Sequence, residues 1–107
     1  MKKVTFAGKE WNFGFRSIWG PLYAYEVVQA QLGIPDFDAR KNVCRHVLFW
    51  LIFREQNEDF NLTFDEFSEE LNNLELVKEL ETIYSATMES LQAPEREENK
   101  GKKVKKK

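Results

Sequence analysis

Cys44 and His46 carry the sharpest chemical suggestion in the chain, a thiol with an imidazole two residues away. A catalytic pair must share a proton across a hydrogen bond. Two residues along a helix is about 200° of rotation, so the side chains leave the axis in nearly opposite directions and cannot meet. Spacing excludes the dyad and leaves Cys44 as a small core residue and His46 as a polar group on the flank of its helix. The chain holds one Cys and one His, too few for an intrachain disulfide or a His/Cys zinc site.

Asp65, Glu66, Glu69 and Glu70 crowd one short stretch, where i,i+4 carboxylates repel and the first two favour the positive end of a helix. A general acid needs a desolvated carboxyl in a cleft. This pattern reads as a solvated face, and no catalytic acid is assigned. A calcium loop is the closest decoy, since Asn57, Asp59, Leu62, Thr63, Glu66 and Phe67 suit an EF-hand running from Glu55 to Glu66. Position 1 nevertheless holds Glu55 rather than Asp, and position 6, where a sharp turn wants glycine, holds Phe60. A degenerate EF-hand calcium-binding protein therefore ranks last among the readings. The expectation is a protein that is not an enzyme, with no metal and no cofactor.

The elements that must position any site follow from one run, Val47-Leu48-Phe49-Trp50-Leu51-Ile52-Phe53. At 100° per residue a helix of seven apolar residues is apolar all round, so other elements must cover every side of it. That central helix is expected to be capped by Asp36 or Asp38 and to fade at Glu55-Gln56-Asn57. Upstream, Val4 and Phe6 alternate with polar residues, Ala7-Gly8-Lys9 turns the chain, and Trp11, Phe13 and Phe15 resume the alternation, which predicts a β-hairpin. A lone hairpin is marginal in water and needs helices behind it. Pro21 in a first turn and Gly33 with Pro35 at the end predict a helix from about Gly20 to Leu32. Thr63 with Glu66 makes a capping box, and Leu62 with Phe67 the matching hydrophobic staple, so a short helix starts at Phe64. Val77, Leu80, Tyr84, Met88 and Leu91 keep helical spacing in a last helix, which Pro94 is expected to stop.

The fold class is therefore mainly α with a small β part (α+β), an N-terminal β-hairpin packed on a bundle of about four helices. Residues 1–93 form a single hairpin-plus-helical domain, and 94–107 are expected to be a disordered Lys-rich tail, because they hold too little apolar surface to offset their ordering entropy. Charge follows the same division. Residues 1–93 carry 9 Lys+Arg against 15 Asp+Glu, whereas 94–107 carry 7 against 3. An acidic body opposes the basic tail, and that tail has no interleaved aromatics for base stacking, so nucleic acid is not the expected partner. The apolar run falls short of the roughly 20 residues that span a bilayer, and Lys2 and Lys3 lead into an alternating segment rather than a secretory one. No membrane is expected, and the location is expected to be cytoplasmic.

The first helix is the most suggestive surface because it has two apolar stripes. Ile18, Leu22, Tyr25 and Leu32 lie along one side, while Trp19, Tyr23, Val27 and Ala30 follow i, i+4, i+8, i+11 along another. One stripe meets the central helix. The other is either covered by the hairpin's Trp11, Phe13 and Phe15 or left open as a partner surface, where Trp and Tyr are favoured anchors. The candidate partner-binding residues are accordingly Trp11, Phe13, Trp19, Tyr23 and Val27.

The hairpin reading Val4-Thr5-Phe6-Ala7-Gly8-Lys9-Glu10-Trp11-Asn12-Phe13 is followed by a helix ending at Leu32-Gly33 and by an apolar helix. Leu62-Thr63-Phe64-Asp65-Glu66-Phe67 then opens a short helix, and an amphipathic helix leads into a charged tail. In this order, and in its Gly-Lys-Glu-aromatic and Leu-Thr-x-x-Glu segments, the chain resembles the tail assembly chaperones of long-tailed bacteriophages and prophages over roughly residues 2 to 92. The resemblance implies a non-enzymatic protein of the bacterial host cytoplasm that coats the tape measure protein, keeps it soluble, aids assembly of the tail tube protein around it, and is absent from the finished virion. It also implies a longer form made by ribosomal frameshifting, for which the Lys105-Lys106-Lys107 codons would supply an A-rich slippery run.

Two other classes stay open. A regulatory or antitoxin-like module would use the same stripe against a single globular partner, and genomic neighbours distinguish it from a chaperone. A small enzyme working through acidic residues lacks a glycine-rich loop, a second His or a paired catalytic set. The hairpin edges are open to another copy, so a homo-oligomer is also open to this chain.

Overall fold

A computed structural model describes residues 2–101, with side chains through Leu91. The apolar run lies in helix α2 (Asn42–Gln56), where Val47, Leu48, Phe49, Ile52 and Phe53 are fully buried and Trp50 and Leu51 nearly so. Each such Leu, Ile or Phe contributes about 1.5–3 kcal/mol on leaving water. Coverage comes from four sides. Helix α1 (Trp19–Leu32) and helix α3 (Phe64–Glu70) both pack on α2. Strand β2 (Lys9–Phe13) lays Phe13 against Phe49 and Phe53, with ring centroids 5.6 and 4.7 Å apart. Helix α4 (Leu74–Gly101) brings Tyr84 to 5.4 Å from Phe49.

The hairpin pairs strand β1 (Lys2–Phe6) with β2 antiparallel, Phe6 opposite Lys9 and Val4 opposite Trp11. Its two-residue turn places both Ala7 (φ 53°) and Gly8 (φ 75°) in the left-handed region, as the right-handed strand twist requires of so short a loop. Val4, Phe6, Trp11 and Phe13 all point into the core. The indole N–H of Trp11 donates to the Phe6 carbonyl at 3.1 Å and that of Trp50 to the Leu62 carbonyl at 2.9 Å, so neither donor is stranded.

Helix ends follow local chemistry in two places. Gly33 (φ 65°) closes α1, with its own N–H and that of Ile34 both donating to the Gln29 carbonyl. Such a left-handed residue suits glycine, which has no Cβ to clash. At α3 the capping box is complete: Thr63 Oγ1 accepts from the Glu66 N–H at 3.1 Å, and Glu66 Oε1 accepts from the Thr63 N–H at 2.9 Å.

Three expectations need correction. Lys41, not Asp36 or Asp38, is the N-terminal flank of α2, and it makes no side-chain cap. Asp38 instead closes its own turn by accepting from the Arg40 N–H at 2.9 Å, and Asp36 accepts from Gln29 at 2.6 Å. On α4 the innermost residues are Leu76, Leu80 and Tyr84. Their shared face puts Val77 and Met88 on its edges, and Leu91 is 36% exposed. Helix α4 also continues through Pro94 to Gly101. Proline's fixed φ of about −65° is itself helical, so its penalty is one lost hydrogen bond and a ring clash, set against the strong helix formers around it. Residues 102–107 of the expected tail lie outside the described residues.

Asn57, just after α2, is the buried polar residue of the described core. Its Oδ1 accepts from the Asn12 N–H at 2.8 Å, and its Nδ2 donates to the carbonyls of Asn12 and Phe53, both at 2.9 Å. The side chain acts as a third strand for one residue of β2. Asn57→Ala strands the Asn12 N–H and C=O, so it should lower unfolding free energy by about 2–3 kcal/mol, measured by urea denaturation.

Candidate functional site

On α1 the positions 21, 25 and 28 fall on one side and 19, 23, 27 and 30 on the other, because 100° per residue sets the two groups about 180° apart. Pro21, Tyr25 and Val28 are buried. Trp19, Tyr23 and Val27 are 63, 65 and 69% exposed, and Ala30 is exposed beside them. The rings of Trp19 and Tyr23 lie 6.3 Å apart, centroid to centroid, one turn up the helix. Two large aromatics and a valine thus form a continuous apolar strip in water.

Tyr25 decides which stripe goes inward. Its hydroxyl donates to the Pro35 carbonyl at 2.7 Å and touches Cys44 Sγ at 3.3 Å, while the Phe37 ring meets it edge-on at 5.3 Å. Burial first, and then the contact with Cys44, pushes the phenol far above its ordinary range. It stays neutral and keeps donating. The segment after Gly33 folds back to make these contacts, and with α1 it encloses a cleft of about 320 Å³ bordered by Trp19, Tyr23, Glu26, Asp36 and Phe37. The apolar strip therefore runs beside a cleft with two carboxylates on its rim.

Trp11 and Phe13 do not belong to this surface. They are 5% and 0% exposed, and the hairpin lies against α2 rather than over α1. Trp11 stacks edge-on to Phe60 at 5.1 Å. The reading of these two as partner-binding residues is corrected: their rings are consumed in covering α2. Of the five candidates, Trp19, Tyr23 and Val27 remain on the surface. Leu32, assigned to the inward stripe, is 38% exposed at the end of the helix. Sequence reasoning missed Glu26, Asp36 and Phe37 as neighbours of the strip. A buried tyrosine needs an acceptor, and Pro35 so soon after the Gly33 stop was the available signal.

The other chemical suggestions resolve into structure. Cys44 faces Tyr25 and its Sγ donates to the Asp36 carbonyl at 3.6 Å, whereas His46 faces α4, with Nε2 at 3.6 Å from Glu81 Oε2. The calcium-loop residues are bound elsewhere. Asn57 holds β2, Asp59 pairs with Lys9, Glu66 sits in the capping box, and Phe60 is buried against Trp11 and Phe53. Among the described residues no group of three or more His, Cys, Asp or Glu is placed to hold a metal ion, and no helix is long and apolar enough to cross a membrane.

The fold and the surface define a small α+β domain with an aromatic helix face in solvent. Comparison with protein-family models, with curated proteins and with solved structures gave no match for this chain.

His46 carries a pH consequence. Burial lowers its pKa below the ordinary 6.5 and the nearby Arg45 adds to this, against the opposing pull of Glu81. Below about pH 6.5 the unfolded chain takes up a proton that the folded one refuses, so stability falls as pH drops, by at most about 1.4 kcal/mol per pH unit. Melting temperature between pH 7.5 and 5.5 should decline more steeply in the wild type than in His46→Gln.

Proposed function

We propose that this protein is a non-enzymatic assembly chaperone that holds an apolar helical stripe of a long partner until that partner is enclosed. The observation that carries the reading is the strip of Trp19, Tyr23 and Val27 in water on a body whose other large aromatics are folded inward. Trp and Tyr are the residues that anchor interfaces most strongly. Their spacing of one helical turn suits a second helix laid along α1, read through its own i, i+3, i+4 positions.

The order of elements that resembles tail assembly chaperones makes the tape measure protein of a long-tailed bacteriophage or prophage the proposed partner, in the cytoplasm of the bacterial host. A tape measure helix exposes apolar stripes along its length before the tail tube protein surrounds it. One shallow strip per chaperone is then sufficient, because many copies act on one long chain. Glu26 and Asp36 beside the cleft, within an acidic body, favour basic residues flanking those stripes and keep the coated complex from aggregating.

Co-expression of the full chain with a tape measure fragment tests the reading. Trp19→Ala combined with Tyr23→Ala should leave circular dichroism and melting temperature near the wild type, because both rings are in solvent. Each truncation should weaken binding by about 2 kcal/mol or more, so co-purification is lost. Unchanged co-purification would move the binding site off α1. Tight one-to-one binding to a globular toxin instead would make this the antitoxin-like module.

A further inference from the structure

The two strands of the hairpin leave the molecule with two sheet edges, and they are treated differently. With Phe6 and Lys9 closing a two-residue turn, the pairs Phe6–Lys9, Val4–Trp11 and Lys2–Phe13 exchange backbone bonds within the hairpin, so the N–H and C=O groups of Lys3 and Thr5 on β1, and of Glu10 and Asn12 on β2, point outward. On β2 the outward groups of Asn12 are both taken by Asn57. On β1, among the described residues, no hydrogen bond reaches the outward groups of Lys3 or Thr5, and both residues are exposed. Beside that edge runs a shallow groove of about 570 Å³, with Lys2 and Lys3 on one wall and α4 on the other, where Ile83 and Ala86 lie among Glu75, Lys78 and Glu79.

We propose that the open edge of β1, with the groove that α4 makes beside it, is a self-association surface on which a second copy of the chain adds its own β1 antiparallel about a two-fold axis at Val4. Register and charge select this occupant. Centred on Val4, each Lys3 lies opposite Thr5 of the other copy, and the two pairs exchange four backbone hydrogen bonds. Shifting the centre to Lys3 sets two lysines against each other, which is unfavourable. Shifting it to Thr5 pairs Lys3 of each copy with Ala7 of the other, which carries two bonded pairs into the turns. The axis stands normal to the sheet, so the core-facing sides of both hairpins remain on one side and the two α4 grooves approach each other. Each groove carries Lys2, Lys3 and Lys78 together with Glu75 and Glu79. A surface with both signs side by side is self-complementary, as a two-fold contact requires. The proposal stands independently of the reading of α1.

Sedimentation equilibrium of the full chain over roughly 1 µM to 1 mM tests it, with Thr5→Lys and Thr5→Glu as the variants. Thr5 is exposed on the face away from the core, and both replacements are similarly poor strand formers, so their difference isolates charge. The wild type should show a monomer–dimer equilibrium. Thr5→Lys sets like charges opposite Lys3 twice per dimer and should raise the dimer Kd about threefold or more, while Thr5→Glu sets opposite charges there and should lower it by a similar factor. Within each hairpin Thr5 also lies opposite Glu10, so at the lowest concentration Thr5→Lys should melt slightly above and Thr5→Glu slightly below the wild type, the reverse of the order that stability alone would give the dimer affinities. A monomer throughout the range would overturn the proposal. A dimer indifferent to both Thr5 variants but lost with Trp19→Ala would also overturn it, by placing the contact on α1.

Discussion

Everything else in this structure answers to the need to dry one helix from every side. A helix with an apolar stripe can rest on a single neighbour, but α2 has no polar side through its central two turns, and each uncovered face would expose aromatic or aliphatic surface. That constraint explains why so small a chain recruits a hairpin, two flanking helices and a long final helix to one axis. It also explains the aromatic content of the contacts. Phe6, Phe13, Phe53, Phe60 and Phe67 form a connected set of rings, and edge-on pairs such as Phe6 with Phe53 at 5.1 Å fill the space between a twisted two-stranded sheet and a cylinder. Offset and edge-on ring pairs of this kind add about 0.5–1.5 kcal/mol each beyond the area they bury.

The same demand leaves α1 with a surplus. Once Tyr25, Val28 and Pro21 have covered their share of α2, the opposite stripe has nothing left to face, because the hairpin is committed elsewhere. An exposed Trp–Tyr–Val strip is costly to solubility and is kept in natural monomers chiefly where it is used. The inference of adhesion rests on this surplus rather than on any reactive group. Cys44 and His46 illustrate the contrast. Each has structural neighbours, and they look in different directions.

Legibility in the sequence followed locality. The central helix, the hairpin, the Gly33 stop and the capping box at Thr63 and Glu66 were all readable, since each is specified within a few neighbouring residues. Whether the Trp19 and Tyr23 stripe of α1 is covered was not, because that depends on where a distant hairpin packs. The residue that anchors the inward stripe, Tyr25, likewise finds its acceptor ten residues away at Pro35. The burial of Trp11 and Phe13 depended on knowing which helix the hairpin chooses. Asn57 was harder still: the residue looks like a calcium ligand in a loop, and its real partner, Asn12, is 45 positions distant. At Pro94 a local rule was applied correctly and outweighed, for a helix already built from residue 74 carries its geometry into the next turn.

The left-handed Ala7 in the hairpin turn has a corollary. Asn-Gly would hold this turn in advance, whereas Ala-Gly must be held open by what lies behind it, at about 1–2 kcal/mol for the alanine. The turn therefore brings little preorganisation of its own, and the hairpin depends on the surface of α2 to hold its shape as much as α2 depends on the hairpin for its cover.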